Sequence, residues 1–193
     1  MNQKLLITGF DPFGGATINP AWEAVKRLPD QIGSFELRKL EIPTVFGLAA
    51  ETVLAVAKEW KPDVILCIGQ AGGRDSVTPE RVAINIRDAR IADNAGTIPV
   101  EQSIVPEGPA AYFATVPVKA MAEAIRAAQL PGAVSNTAGT FVCNDTLYSL
   151  LHHYAGTPVR AGFIHVPYLP EQGEPNLSLE HTIAALTVAI EAL

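Results

Sequence analysis

The sequence is poor in the features that mark secreted, membrane-spanning or nucleic-acid-binding proteins. It has two cysteines among 193 residues, its formal net charge is −6, and only 18% of its residues are charged. Because nucleic acids and anionic membranes attract basic surfaces, this balance argues against both as general partners. No apolar run reaches the roughly 18 residues that a membrane-spanning helix needs. The first residues, MNQKLLITGFDPF, predict a strand rather than a signal peptide.

Several motifs of common enzyme classes are also missing. The stretch GQAGGR at residues 69–74 lacks both the Gly-Lys-Ser/Thr ending of a phosphate loop and the spacing of a dinucleotide fingerprint. The G-x-S-x-G elbow of serine hydrolases does not occur. His152 and His153 are adjacent, so their side chains diverge on a helix and do not form a zinc site. We therefore expect neither a metal nor a cofactor.

The chain alternates between apolar, strand-like runs and longer segments of helical period. Buried strands are predicted at residues 4–9, 63–69 and 160–166, an edge strand at 35–41, and weaker strands at 81–86 and 133–136. Continuous apolar strands are typical of a sheet that is covered on both faces. The predicted fold class is therefore α/β, a three-layer α/β/α sandwich with a mostly parallel, partly mixed twisted sheet, formed by residues 1–193 as a single domain.

Five helices are predicted from their start and stop signals. Asn19 before Pro20 forms a cap and first-position pair, and Thr44 is expected to cap a second helix that ends near Trp60. The third helix spans about residues 118–128. The fourth begins near Cys143 and ends by residue 156, and the last follows residue 178.

Three loops contain more glycine, proline and polar residues than a simple connection needs. They span residues 9–19, 69–80 and 87–109. In open α/β sheets, ligands bind where loops leave the carboxyl ends of strands, and the first two loops leave predicted strands at that end. Long ordered loops in compact domains are often functional. We therefore expect the site among these loops.

The two cysteines stand in different surroundings. Cys67 lies within the apolar run DVILCIG and is interpreted as a buried core thiol. Cys143 opens a helix after NTAGTFV, where the helix dipole and unpaired backbone N–H groups favour a thiolate and can hold an oxyanion. It is a candidate nucleophile, the alternative being a core cysteine near a helix start. Without an export signal, we expect a reducing, cytoplasmic location and two free thiols.

A cysteine nucleophile needs a base and a group that orients the base. His165 ends a buried strand in FIHVP, where an α/β sheet presents side chains to its ligand, although a core histidine remains an alternative. Glu80 follows the glycine-rich loop and precedes a short strand, so it is the candidate third group. The other loop carboxylates that stay open for this role, each also able to act as a turn residue, are Asp11, Asp75, Asp88 and Asp93.

Four separated motifs resemble those of one known family. They are GFDPFGG with NPAW near the start, GQAGGRDSVTPERVAINIRDARIADN, SNTAGTFVCNDTLY, and GFIHVPYLP near the end. In this order they resemble pyroglutamyl peptidase type I, also called pyrrolidone-carboxylate peptidase, a family of cysteine peptidases. The resemblance spans essentially the whole chain.

The resemblance implies a role for each matching residue. It implies that Cys143 is the nucleophile, His165 the general base and acid, Glu80 the group that orients the imidazole, and Arg90 a helper at the oxyanion. It also implies an α/β/α sandwich, no cofactor, and hydrolysis of amino-terminal pyroglutamyl residues from peptides. A homo-oligomer, commonly a tetramer, is expected from the family.

The substrate implied by the family sets what its pocket needs. A pyroglutamyl terminus is a lactam without an ammonium group, so its pocket needs apolar walls and a few hydrogen-bond partners rather than a carboxylate. Phe10, Phe13 and Phe141 resemble the family's apolar pocket, and Gln70 is the expected polar contact. Ordinary core packing is the alternative interpretation of each phenylalanine.

Two other function classes compete with a peptidase. A nucleoside phosphorylase could use an α/β/α sandwich with glycine-rich loops, and Arg74, Arg81 and Arg87 are its candidate phosphate ligands, but no phosphate loop accompanies them. A peptide-binding domain without turnover is the third hypothesis. The presence of cysteine, histidine and carboxylate candidates together argues against it.

Overall fold

The computed structural model describes residues 3–193. Residues 1 and 2, which belong to the segment predicted as a first strand and to the predicted domain, lie outside the described residues. The strands are β1 (Gln3–Phe10), β2 (Gln31–Ile32), β3 (Phe35–Ile42), β4 (Val64–Gln70), β5 (Thr78–Pro79), β6 (Val82–Ile84), β7 (Ala111–Phe113) and β8 (Arg160–Val166). The helices are α1 (Pro20–Val25), α2 (Leu48–Trp60), α3 (Val118–Ala127), α4 (Val142–His153) and α5 (Leu179–Glu191).

The main sheet has six strands in the order β2-β3-β1-β4-β8-β5. The four long strands run parallel, while the two-residue strands β2 and β5 pair antiparallel at the two edges. The predicted α/β class with a mostly parallel, partly mixed sheet is confirmed. The carboxyl ends of β1, β4 and β8 meet at one edge of the sheet, as parallel pairing requires, and the loops 9–19 and 69–80 leave from there.

Side chains alternate between two faces of the sheet, and each face has its own helices. We name them the α5 face, covered by α1, α3 and α5, and the α4 face, covered by α2 and α4. The buried strand residues of the α5 face include Leu5, Ile7, Leu66, Ile68, Ile164 and Val166. Those of the α4 face include Leu6, Phe10, Ile65, Cys67, Ala161 and Phe163. Removing these apolar surfaces from water is the main favourable contribution to folding.

Three of the sequence predictions for strands need correction. The predicted strand at 81–86 is shortened to β6, which pairs with the unpredicted strand β7 in a separate two-stranded sheet. Residues 133–136 form no strand, and only isolated bridges at Gly132 and Ser135 occur there. The segment predicted at 35–41 is not an edge strand, because β2 pairs with its beginning. Two-residue partners such as β2 have too little periodicity to be detected from sequence.

Four helices start as predicted, and one does not. Asn19 caps α1, since its side-chain oxygen accepts a hydrogen bond from the Ala21 N–H at 3.0 Å. The prediction that Thr44 caps α2 is wrong, because the helix begins at Leu48 after Gly47, whose φ is 75°. Thr44 is instead held by Asp11, whose Oδ1 accepts from the Thr44 N–H at 2.7 Å.

Among the helices within residues 3–193, none is long and apolar enough to cross a membrane.

Candidate active site

The ends of β4 and β8 place a glycine beside a histidine. Gly69 is paired with His165 in the parallel ladder, so both present the α4 face. A Cβ at Gly69 would stand 2.7 Å from the Phe163 ring and 3.0 Å from Cys143 Sγ. Glycine is therefore what allows the sulfur of α4 to approach the end of β4, next to the strand that carries the imidazole.

Glu80 reaches the imidazole from the edge of the sheet. Thr78 pairs antiparallel with His165, and the Glu80 N–H donates to the Phe163 carbonyl at 2.9 Å. The Glu80 side chain is fully buried, and its Oε1 lies 2.7 Å from His165 Nδ1. Because an ionised carboxylate only accepts, Nδ1–H is the donor, and Nε2 is left to take a proton.

Cys143 occupies the first turn of α4 and is half-buried. The N–H groups at the start of any α-helix have no partner within the helix. The residue before α4, Phe141, supplies no side-chain cap for them. These donors and the positive end of the helix dipole lie next to the sulfur. The local electrostatics therefore favour negative charge that develops there.

Polar side chains that follow Cys143 fix the start of α4. Asn144 is fully buried, and it exchanges hydrogen bonds with the Ile84 backbone of β6 at 2.9 Å in both directions. Asp145, also fully buried, accepts from Arg87 Nε at 2.6 Å and from the Gly47 N–H at 2.7 Å. These bonds join α4 to β6 and to the start of α2, so the helix end that carries the sulfur is held from two sides.

The surroundings shift the pKa values of the three candidate catalytic groups. Burial lowers the pKa of His165, and the hydrogen bond and charge of Glu80 oppose this. Burial raises the pKa of the Cys143 thiol to about 12, with the negative charge of Glu80 acting in the same direction. Burial alone would raise the pKa of Glu80, but the hydrogen bond and charge of His165, together with smaller contributions from polar neighbours that include Arg74, outweigh it and lower the pKa.

Aromatic side chains from three segments meet next to the start of α4. The rings of Phe13 and Phe141 lie 5.9 Å apart, and Phe46 packs edge-on against Phe141 at 5.2 Å. Phe13 and Gln70 also line an adjacent cavity of about 650 Å³. The Gln70 side-chain oxygen accepts from Gln172 Nε2 at 3.0 Å. This leaves the NH₂ group of Gln70 as the donor that it can offer to a ligand.

The other residues predicted for the site lie at different depths. Phe10 is only 2% exposed, and its ring centroid lies 6.1 Å from that of Phe163, in the layer beneath His165. Arg90 is exposed and lines a second cavity of about 560 Å³ together with Phe141 and the loop that precedes α4. Phe10 is thus part of the core below the site, and Arg90 stands at its rim.

Neither the alternative carboxylates nor the other histidines join this cluster. The oxygens of Asp11 and Asp93 accept hydrogen bonds from backbone N–H groups of nearby loops. Asp75 accepts from the neighbouring serine, and Asp88 is exposed. His152 Nδ1 lies 2.9 Å from a tyrosine hydroxyl. Among the carboxylates considered from the sequence, Glu80 is the one that contacts His165.

Two residues near the site had no part in the peptidase site that the sequence predicted. Phe46 completes the aromatic cluster, and Arg74 donates to Glu80 Oε1 at 2.6 Å. Arg74 was considered only as a phosphate ligand. Its position directly after the Gly72–Gly73 turn was a usable signal, because loops at strand ends bring side chains into the site.

The side chains of the site offer no metal-binding cluster. Within residues 3–193, no group of three or more histidine, cysteine, aspartate or glutamate side chains is placed to hold an ion.

Comparison with known proteins gives one consistent family. The sequence model described as pyroglutamyl peptidase matches residues 3–193. The pyrrolidone-carboxylate peptidase of Levilactobacillus brevis is 57% identical, with 98% of this chain and 97% of the relative covered. The crystal structure of pyroglutamyl peptidase I from Bacillus amyloliquefaciens superposes with a TM-score of 0.96 at 47% identity, covering 100% of this chain and 95% of that one. The pyrrolidone carboxyl peptidase from Thermococcus litoralis gives 0.94 at 36% identity, covering 98% and 92%.

Proposed function

The chain belongs to the pyroglutamyl peptidase family, and from this premise we propose that it is a cysteine peptidase that hydrolyses the amino-terminal pyroglutamyl residue from peptides. The observation that carries the proposal is the contact between His165 Nδ1 and the buried Glu80 at 2.7 Å, at the strand end against which Cys143 packs. In this proposal, residues 1–193 act as a single catalytic domain.

The first half of the reaction forms a thioester. A raised pKa of Cys143 and a lowered pKa of His165 favour a neutral thiol beside a neutral imidazole as the resting pair. His165 Nε2 takes the thiol proton as sulfur attacks the pyroglutamyl carbonyl carbon, and the carbonyl π electrons move onto oxygen. N–H groups at the start of α4, helped by Arg90, stabilise this oxyanion. The imidazolium then protonates the amine, and the C–N bond breaks.

The second half returns the enzyme to its starting state. Water replaces the departed amine, and His165 removes a proton from it as the oxygen attacks the thioester carbon. The C–S bond breaks, pyroglutamate leaves, and the imidazolium returns its proton to sulfur. Glu80 stabilises the imidazolium in both halves and keeps Nε2 directed at the reacting atoms, because it holds Nδ1.

The pocket proposed for the lactam combines apolar walls with one amide. Phe13 and Phe141 supply ring faces, Phe46 supports Phe141, and Phe10 lies in the layer below. The NH₂ group of Gln70 is oriented by its bond to Gln172 and can donate to the lactam carbonyl. None of these side chains carries a charge. An ordinary peptide terminus would therefore lose the hydration of its ammonium without gaining an ionic partner.

The test compares matched chromogenic substrates. Purified protein is assayed with pyroglutamyl p-nitroanilide and with the glutamyl and prolyl anilides, before and after treatment with iodoacetamide. We expect chromophore release from the pyroglutamyl substrate alone and its loss on alkylation. Release that survives alkylation of Cys143, or equal release from the unblocked glutamyl anilide, would contradict the proposal. Phosphate-dependent cleavage of a nucleoside would support the phosphorylase instead, and binding without cleavage would support the binding domain.

We also propose a homotetramer located in the cytoplasm. Exposed large apolar side chains concentrate on the 87–109 loop and the small sheet, and Val100 and Phe113 are 65% and 72% exposed. Such patches are typical of surfaces that bind other proteins. Light scattering coupled to gel filtration measures the assembly. A monomer at micromolar concentration would contradict this part of the proposal.

A further inference from the structure

Arg74 bonds to three acceptors in two segments of the site. Its NH1 donates to Glu80 Oε1 at 2.6 Å and to Thr78 Oγ1 at 2.7 Å, and its NH2 donates to the Thr137 carbonyl at 2.9 Å. Thr78 lies in the edge strand β5, and Thr137 lies in the loop that leads into α4. The planar guanidinium can serve these acceptors together because its N–H groups point in fixed directions.

The first connection concerns the carboxylate that faces the base. Arg74 and His165 both bond to Oε1 of Glu80, at 2.6 and 2.7 Å. The other oxygen, Oε2, is buried without a hydrogen-bond partner among the residues that the structure describes. The Arg74 guanidinium and the His165 imidazole therefore share one acceptor atom, Oε1 of Glu80. The electron density that Glu80 offers to the imidazole depends on whether the guanidinium is present.

The second connection concerns the nucleophile. The Thr137 carbonyl accepts from Arg74 and from Ser135 Oγ, and the Thr137 hydroxyl accepts from the Gly139 N–H at 3.1 Å. This short turn runs directly into Phe141 and the first turn of α4. The Arg74 side chain thus bonds both to Glu80 and to the loop that precedes Cys143.

We propose that Arg74 is a positioning residue for the peptidase reaction. By bridging Glu80 Oε1 and the Thr137 carbonyl, it fixes the position of the Glu80 carboxylate relative to the start of the helix that carries Cys143. The proposal rests on the proposed function, since it assumes that His165 is the base and Cys143 the nucleophile. Arg74 acts through Glu80 and through the loop that contains Thr137, and it contacts no reacting atom.

The charges around the imidazole give this role a measurable direction. Apart from burial, which lowers the pKa of His165, the charged groups that act on it are Glu80, which raises the pKa, and Arg74, which lowers it. Arg74 also lowers the pKa of Cys143. Replacing Arg74 with a neutral residue removes the charge that opposes Glu80 at the imidazole. The pKa of His165 then rises, and the thiol becomes harder to ionise.

The experiment uses three variants of the full chain. Arg74→Met removes the charge and the hydrogen bonds, and Arg74→Lys keeps the charge without the planar fork. Arg81→Met is the matched control, because it removes the same charge from a nearby, partly buried position without a side-chain bond to the described residues. Each variant is assayed for kcat, KM and the acidic limb of the pH profile with pyroglutamyl p-nitroanilide, and its Tm is measured.

We expect Arg74→Met to lower kcat about 10- to 100-fold, the size expected when reacting groups are misplaced by about 1 Å, with little change in KM. Its acidic limb should move to higher pH. Arg74→Lys should keep the limb near that of the unmodified chain and recover part of kcat. Arg81→Met should match the unmodified chain. A lower Tm with an unmoved limb, or equal kinetics in Arg74→Met and Arg81→Met, would overturn the proposal.

A second measurement separates this proposal from the proposed function. The imidazole of His165 is titrated by NMR in the unmodified chain and in Arg74→Met, with His165→Gln used to assign the signal. A higher titration midpoint in Arg74→Met supports the role of Arg74 even if pyroglutamyl anilide is not cleaved. Cleavage by the unmodified chain with an unmoved midpoint rejects the role of Arg74 and leaves the proposed function intact.

Discussion

The same strands end in different chemistry on the two faces of the sheet. On the α5 face, the last fully buried residues of β4 and β8 are Ile68 and Val166, which belong to an apolar core. On the α4 face they finish in the paired residues Gly69 and His165, and the first turn of α4 places Cys143 Sγ against Gly69. The candidate catalytic groups thus have a packed apolar layer behind them and a helix start on their own side.

The strongest test of this comparison replaces each cysteine in turn. Cys143→Ala should lower kcat/KM by about 10⁴-fold or more, because removing a nucleophile that works with its base loses most of the catalysis. Cys67→Ala, a matched change at a fully buried position of the same face, should keep most of the activity. It should reduce the free energy of unfolding by about 1 kcal/mol. Anilide hydrolysis and urea denaturation measure both. Equal losses of activity in Cys143→Ala and Cys67→Ala would mean that a cysteine at the helix start contributes no more to catalysis than a cysteine in the core.

The next largest effect concerns the carboxylate at the sheet edge. Glu80→Gln should lower kcat about 10²- to 10⁴-fold, since an amide cannot stabilise the imidazolium as a carboxylate does. It should also move the acidic limb to lower pH, because the hydrogen bond and charge of Glu80 raise the pKa of His165. Steady-state rates from pH 4 to 9 test this. Asp75→Asn, on the exposed part of the preceding loop, is the control and should leave the limb in place.

Two glycines compare the faces directly. Gly69→Ala places a Cβ against Phe163 and Cys143 Sγ on the α4 face, whereas Gly162→Ala places one 2.3 Å from Val116 on the opposite face. We expect Gly69→Ala to lower kcat about 10- to 100-fold through displacement of the sulfur. Gly162→Ala should instead cost about 1–3 kcal/mol of stability by overpacking and keep kcat. If Gly162→Ala loses kcat to the same extent, the faces are not independent.

The smallest expected effect is the pH dependence of stability. The folded pKa of His165 lies below its ordinary value, so the unfolded chain binds more protons as pH falls below about 6.5. The free energy of unfolding should therefore decrease from there until the folded pKa is passed. Glu80, whose pKa is lowered, adds a further decrease below about 4.5. Urea denaturation from pH 8 to pH 4 measures both.

Two histidine variants identify the group that causes the slope of the unfolding free energy against pH. His165→Gln should flatten it near pH 6, since glutamine does not titrate. His181→Gln, at an exposed position on α5, should leave it unchanged. An unaltered slope in His165→Gln would show that another group is responsible.

Local patterns were enough to predict the elements that make up the centre of the fold. β1, β4 and β8 are continuous apolar runs, and the cap at Asn19 was correct, because burial on both faces and capping leave clear marks in sequence. β2, β5 and β7 were missed, since two or three residues carry no period. The Thr44 cap failed because its hydroxyl donates at 3.2 Å to the carbonyl of Asp11, 33 residues away, and the helix begins only at Leu48. Propensity contains no information on such distant partners.

The candidate site was predictable in its residue types more than in its construction. The positions of Cys143 and His165 follow from a helix start and a strand end. The assignment of Glu80 needed the family resemblance, because its approach depends on the unpredicted strand β5. The contributions of Phe46 and Arg74 arise from loop packing between segments far apart in sequence. Their catalytic and binding roles remain predictions that the variants above are designed to test.

The antiparallel pairing of β5 with β8 has a consequence during synthesis. A growing chain that has not yet acquired residues 160–166 lacks both the imidazole and the strand on which Thr78 and Pro79 dock. Glu80 then lacks the imidazole that it orients in the proposed reaction, and the Cys143 thiol lacks its proposed base. Nascent polypeptide on the ribosome is thus expected to be inert toward neighbouring proteins until the eighth strand has joined the sheet.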